Sequence, residues 1–142
     1  MKIVDLNILL YAVDSNSSRH RAAREWWEQA LNGDEPVGLP WVVVLGFLRV
    51  ATNPRVFAAP HEVGSALRRV DRWLALDCIR VVREKDDHWE TLRRLISAVG
   101  TAGNLTTDAH LAALAISHDA VLYSSDLDFG RFKGLRWENP LR

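Results

Sequence analysis

At 142 residues and 16.1 kDa, with 48% apolar and 25% charged residues, the chain has the size and composition of one folded domain, which excludes long disordered stretches. Eighteen basic residues balance eighteen acidic ones, in each half of the chain as well as overall, so a nucleic-acid clamp held by bulk charge is excluded but a local basic groove is not. The single cysteine, Cys78, excludes an internal disulfide framework and a Cys/His zinc knuckle and fits a reducing compartment.

The chain opens with a buried strand over Lys2–Leu6, rich in β-branched residues, and then a short helix over Asn7–Val13. This apolar start is broken by Asp5 and Asn7 and makes a poor signal peptide. No apolar run approaches the roughly 18 residues that cross a bilayer, so the expectation is a cytoplasmic protein without a membrane partner. Ser17 or Ser18 caps a second helix through His20, Trp26, Trp27 and Ala30. Asn32-Gly33 ends it, with the glycine in the left-handed conformation common at helix ends. Val37–Leu39 is a brief strand. Pro40 takes the first position of an apolar helix running over Trp41–Val50 and stopping before Asn53-Pro54. Pro60 opens a helix whose face is Val63, Leu67, Val70 and Leu74. Cys78–Val82 is a strand. Asp86 or Asp87 caps a helix carrying Trp89, Leu92, Ile96 and Val99 and ended by Gly100. Thr106 or Thr107 caps the helix Asp108–His118. Ala120–Tyr123 is a strand, and Leu135–Trp137 the last one. Strands alternating with helices, without hairpin signals, predict an α/β fold over residues 1–142 with a mainly parallel sheet and right-handed crossovers.

On this skeleton four acids gather at one edge. Asp5 sits at the carboxyl end of the first strand, and Asp126 directly follows the strand Ala120–Tyr123, with Asp128 two residues on. Asp108 lies in the first turn of a helix. In open α/β sheets that edge is where ligands bind. Each acid has a bland explanation: Asp108 suits the helix dipole, and Asp126 and Asp128 suit a turn. Asp5, interrupting an apolar strand, is harder to explain structurally. Four like charges brought together raise one another's pKa or bind a cation, and oxygen ligands without Cys or His favour a hard divalent ion, Mg²⁺ or Mn²⁺. Such a site suits phosphodiester hydrolysis.

These residues carry a family resemblance. Ile3-Val4-Asp5-Leu6-Asn7-Ile8-Leu9-Leu10-Tyr11-Ala12, Thr107-Asp108-Ala109-His110-Leu111-Ala112-Ala113-Leu114-Ala115 and Ser124-Ser125-Asp126-Leu127-Asp128-Phe129 resemble, in order, the acidic motifs of PIN-domain ribonucleases, specifically the VapC-type toxins of VapBC toxin–antitoxin pairs. The closing segment Gly134-Leu135-Arg136-Trp137-Glu138-Asn139-Pro140-Leu141 is similar to one branch of these toxins. The resemblance implies a three-layer α/β/α sandwich and metal-dependent endonucleolytic cleavage of RNA, with transfer or ribosomal RNA as fitting substrates. It implies Asp5, Asp108 and Asp126 as catalytic metal ligands, an antitoxin covering the active-site edge, and a homodimer. Asn7 and Ser124 or Ser125 are expected to hydrogen-bond the carboxylates. One departure stands out: the helix Trp41–Val50 lacks the family's glutamate, with Gly46 at the expected place, and Asp128 is the candidate replacement ligand.

Arginine outnumbers lysine fifteen to three, and Arg49, Arg55 and Arg131 flank the acidic edge in sequence as candidate RNA contacts. The helical tryptophans Trp26, Trp27, Trp73 and Trp89 suit packing better than base stacking, and the adjacent Trp26 and Trp27 cannot both face one core. Among the histidines, His110 and His118 stand two helical turns apart, which argues against a metal-free acid/base pair. Two other classes remain open: a receiver-like phosphoacceptor, for which Lys133 is poorly placed, and a PIN-like interaction module disabled by the missing glutamate.

Overall fold

The computed structural model describes all residues from Met1 to Arg142. In chain order the elements are β1 (Lys2–Val4), α1 (Leu6–Val13), α2 (His20–Asn32), β2 (Val37–Pro40), α3 (Trp41–Ala51), α4 (Val63–Leu74), β3 (Ile79–Val82), α5 (His88–Val99), α6 (Thr106–Ser117), β4 (Val121–Tyr123) and β5 (Trp137–Glu138), with 3-10 turns at Gly103–Leu105 and Leu127–Arg131. The five strands are all parallel, in the order β3-β2-β1-β4-β5. Parallel pairing needs crossovers, and the helices they supply cover the sheet as a three-layer α/β/α sandwich. α1 packs on α2 and α3, and α5 on α6.

The strand order sets the position of the site. From β1 the chain steps outward to β2 and β3, then returns to the other side of β1 for β4 and β5. The reversal leaves a crevice above the carboxyl ends of β1 and β4, the switch point of such folds. The Asp5 backbone N–H bonds the Tyr123 carbonyl at 2.9 Å, so the two strand ends leave the sheet side by side. Beneath them Ile3, Val4, Leu39, Phe47, Leu122 and Phe129 are almost entirely buried. β2 is buried along its whole length, and Gly38 leaves room there for Val82 and for Ile3, whose Cγ1 would lie 3.1 Å from an added Cβ.

Several boundaries differ from the sequence reading. β1 ends at Val4, because Asp5 turns the chain and becomes the N-cap of α1, with Leu6 N–H donating to its carboxylate. α2 starts at His20 with Arg19 at its cap. Ser17 instead closes the preceding turn, accepting from the Arg19 N–H at 3.1 Å. Gly33 has φ −82° and continues as extended chain; the helix that does end on a left-handed glycine is α5, at Gly100 with φ 84°. Pro40 completes β2 and caps α3 rather than occupying its first turn. α4 begins at Val63, three residues after Pro60. Its buried stripe is Ala66, Val70 and Trp73, because the large Trp73 ring draws the helix round and leaves Val63 and Leu67 exposed. α6 is entered straight from a 3-10 turn, so Leu105 holds the cap position and the Thr106 hydroxyl donates back to Gly103 O. Asp87 caps α5 without a side-chain bond. β5 is shifted to Trp137–Glu138.

Of the adjacent tryptophans, Trp27 enters the core edge-on to Trp73 at 5.6 Å. Trp26 lies against Tyr123 at 4.9 Å, as the 100° step between neighbours on a helix requires. Trp89 is not packed in the core; it is 66% exposed.

Candidate active site

Asp5 is the best-held residue of the switch-point crevice. Its Oδ1 accepts from the Leu6 N–H at 2.7 Å, and its Oδ2 accepts from the Ser124 hydroxyl at 2.7 Å and from Asn7 Nδ2 at 3.2 Å. Ser124, fully buried, is the hub: its Oγ also accepts from Asn7 Nδ2 at 3.2 Å and from the Asp126 backbone N–H at 3.0 Å. One hydroxyl thus ties the end of β1 to the turn after β4. Asn7 and Ser124 thus both hydrogen-bond an acid of the crevice through their side chains. The Ser125 hydroxyl does not: Ser125 contributes only its backbone N–H, to Asn7 Oδ1 at 3.3 Å. Asp126 in turn accepts from the Asp128 N–H at 2.9 Å, which sets the 3-10 turn carrying the last acid.

The structure brings Asp108, Asp126 and Asp128 together, each offering a carboxylate oxygen within 4.8 Å of the others. Asp5 lies beside this trio, its oxygens already engaged, but close enough for charge coupling to Asp108 and Asp126. Burial is the main cause raising the Asp5 pKa; the Ser124 and Leu6 bonds offset part of it, and Asp126 adds to it. Asp108 is pushed up to about 6, first by burial and then by the charges of Asp126, Asp5 and Asp128. Carboxylates crowded until one holds its proton near neutrality are a donor set short of positive charge. Hard oxygen ligands of this kind fit a divalent cation of the Mg²⁺ or Mn²⁺ type.

Beside the cluster is a cleft of about 230 Å³ lined by Asp5, Asp108, Leu6, Val42, Thr107 and Arg49, among others. All three candidate RNA-contact arginines are exposed, but Arg49 alone borders it; Arg55 and Arg131 lie outside its lining. Thr107 and Leu6 had no signal in the sequence beyond adjacency to the acids. Gly46 faces α1: a Cβ there would lie 2.8 Å from Leu6 Cδ2, so the place expected for a fourth acid is filled by a leucine side chain. His110, two residues after Asp108, turns away to His88, with Nδ1 2.9 Å from His88 Nε2, and its other nitrogen is 3.5 Å from Glu84. This pairing was invisible in sequence, since the two residues sit on different helices. His118 bonds the Arg83 carbonyl instead and shares no pocket with His110.

The chain is also similar to known proteins. The PIN domain family model matches residues 2–135. The chain is 45% identical over 140 residues to Ribonuclease VapC37 of Mycobacterium tuberculosis, covering 99% of this chain and 97% of that one. It is 42% identical over 142 residues to Ribonuclease VapC33 of the same species, covering 100% and 99%. Among solved structures it resembles M. tuberculosis VapC20, described as a sarcin-ricin loop cleaving toxin, with TM-score 0.70 and 18% identity over 96% of this chain and 99% of that one. It also resembles FitAcB from Neisseria gonorrhoeae, with TM-score 0.71 and 16% identity over 99% and 98%.

Proposed function

Since the chain belongs to the PIN-domain family and has VapC ribonucleases as relatives, we propose that it is a metal-dependent endoribonuclease acting as the toxin of a toxin–antitoxin pair. The observation that carries this reading is the convergence on one crevice of four aspartates, from the end of β1, from α6 and from the turn after β4. Asp5, Asp108 and Asp126 are the catalytic ligands, with Asp128 as the further oxygen donor in place of an acid at position 46. Mg²⁺ is the cofactor, and Mn²⁺ substitutes for it. An ion held by these carboxylates would supply stabilisation of charge on the phosphate and a lowered pKa for water.

The chain's own residues do the positioning. Ser124 and Asn7 hold the Asp5 carboxylate in one rotamer, and the same hydroxyl fixes the turn that aims Asp126. Two of the ligand carboxylates, those of Asp5 and Asp126, are therefore held in place before any substrate arrives, which lowers the reorganisation cost of the site. Leu6, Val42 and Leu111 give the cleft an apolar wall that limits water around the acids. The substrate is RNA, of the structured transfer or ribosomal class. The natural partners are an antitoxin lying over the acidic edge and a second copy of the chain. The compartment is the cytoplasm; no helix is long and apolar enough to cross a membrane.

The test is cleavage of transfer and ribosomal RNA by the purified protein with Mg²⁺ or Mn²⁺. Cutting that is abolished by EDTA and by Asp5→Ala is the expected result. Absence of cutting with either ion, on RNA of several classes, would refute the enzyme and leave the interaction module.

A further inference from the structure

Arg49 is left unexplained by the carboxylate site it borders. It lies on α3, three residues after Gly46, so the two share a helix face. Its guanidinium approaches that glycine: Nη2 lies 3.7 Å from where a Cβ at 46 would be. Arg49 lines the same cleft as Asp5 and Asp108, yet it forms no ion pair with either, or with any other carboxylate of the chain. A cation lining one cleft with two aspartates would ordinarily be drawn towards them. Here the cleft of about 230 Å³ is lined both by these acids and by an exposed, uncommitted guanidinium. An acid at position 46 would sit one turn from Arg49 and engage it; glycine cannot.

We propose that Arg49 grips a backbone phosphate of the substrate RNA in the cleft it shares with the aspartates, as the binding residue that sets where the strand lies. This rests on the ribonuclease reading above. A phosphodiester approaching Asp5 and Asp108 meets like charge, and it needs a cationic partner in the cleft as well as the ion. The planar guanidinium presents paired N–H donors to the two non-bridging oxygens, a match that lysine lacks. Because Gly46 brings no side chain between them, the fork stays free for substrate.

The experiment measures binding apart from cutting. A fluorescein-labelled 12-nucleotide single-stranded RNA of mixed sequence is titrated by anisotropy at several salt concentrations, in EDTA and again in Ca²⁺, against the wild type, Arg49→Ala, Arg49→Lys and the control Arg93→Ala on α5. Arg49→Ala is expected to weaken binding about tenfold and to reduce the slope of log affinity against log salt by about 0.7, the loss of one phosphate contact on a single strand. Arg49→Lys restores the slope but only part of the affinity, and Arg93→Ala changes neither. In cleavage assays Arg49→Ala raises KM more than it lowers kcat, and Mn²⁺ affinity by calorimetry does not fall. Unchanged RNA affinity and slope in Arg49→Ala would overturn the assignment, as would an equal loss in Arg93→Ala or a fall in Mn²⁺ affinity. If the wild type binds and cuts RNA while Arg49→Ala does so equally well, the assignment of Arg49 alone fails. If the wild type cuts transfer or ribosomal RNA but does not hold this strand, the assignment of Arg49 fails; if it neither binds the strand nor cuts any of these RNAs, the ribonuclease reading fails with it.

Discussion

Replacing Asp108 by asparagine tests the electrostatics of the cluster directly. Asp108 is a carboxylate whose pKa rises from 3.8 to about 6 in the folded chain, mainly through burial and then through its acidic neighbours. At full strength such a rise corresponds to about 3 kcal/mol between the two protonation states, and partial exposure of the group reduces this to about 1–2 kcal/mol. The folded pKa lies above the unfolded one, so the folded chain holds this proton more tightly. The stability it contributes is complete below about pH 4 and is lost as pH rises through about 6. Asp108→Asn carries no charge at any pH. Without metal at pH 7.5 it should therefore unfold about 3–8 °C higher than the wild type, by the usual conversion for a chain of this size. At pH 4 the difference should vanish. Mn²⁺ should reverse the order: at a hundredfold excess over its Kd the wild type gains about 2.7 kcal/mol, and the variant, lacking a ligand, gains much less. Differential scanning calorimetry at pH 4, 6 and 7.5, in EDTA and in Mn²⁺, measures all of this. Destabilisation of Asp108→Asn in EDTA at pH 7.5 would show that its carboxylate is satisfied by bonds rather than strained by neighbours, and would refute the reasoning.

Three other substitutions probe separate parts of the site. Ser124→Ala removes the hydroxyl linking Asp5, Asn7 and the Asp126 N–H, and should cost about 1–3 kcal/mol by urea denaturation together with a large fall in cleavage rate. Asp128→Asn, at an exposed position, should leave urea stability within about 0.5 kcal/mol of wild type and lower Mn²⁺ affinity about tenfold by calorimetry; unchanged metal binding and cleavage would remove Asp128 from the ligand set. Gly38→Ala drives a methyl group into Val82 and Ile3 between the strands and should destabilise by about 1–3 kcal/mol in urea, with wild-type affinity for Mn²⁺ in the folded fraction.

The acids of the site were legible because each one breaks a local pattern. Asp5 interrupts an apolar run, and Asp126 follows the short apolar strand β4. Asp108 sits where a helix begins, and each of these positions has a definite place at the carboxyl edge of a parallel sheet. Their order along the chain also carried the family. The supporting contacts were less legible. Asn7 and Ser124 were recognisable as neighbours of acids, but the single hydroxyl that serves Asp5 and the Asp126 N–H joins residues 119 apart in sequence. The α4 face was misread because two apolar stripes, one through Leu67 and one through Ala66 and Trp73, fit the same helical period, and only the packing of Trp73 on Trp27 and Phe47 chooses between them.

Local chemistry alone therefore determined the alternation of strands and helices, the edge at which the aspartates collect, and the family to which the chain is similar. Helix periodicity, turn residues and charge position are properties of neighbouring residues, and they survive in a one-dimensional reading. Tertiary structure decided the rest. It placed Arg49 and left Arg55 and Arg131 outside the cleft, filled the space at Gly46 with Leu6, and paired His110 with His88 instead of with the acids. Each of these depends on which helix faces meet across the sheet. That is settled by the fit of side chains such as Trp73 and Leu6 into the space between elements, and no spacing along the chain encodes it.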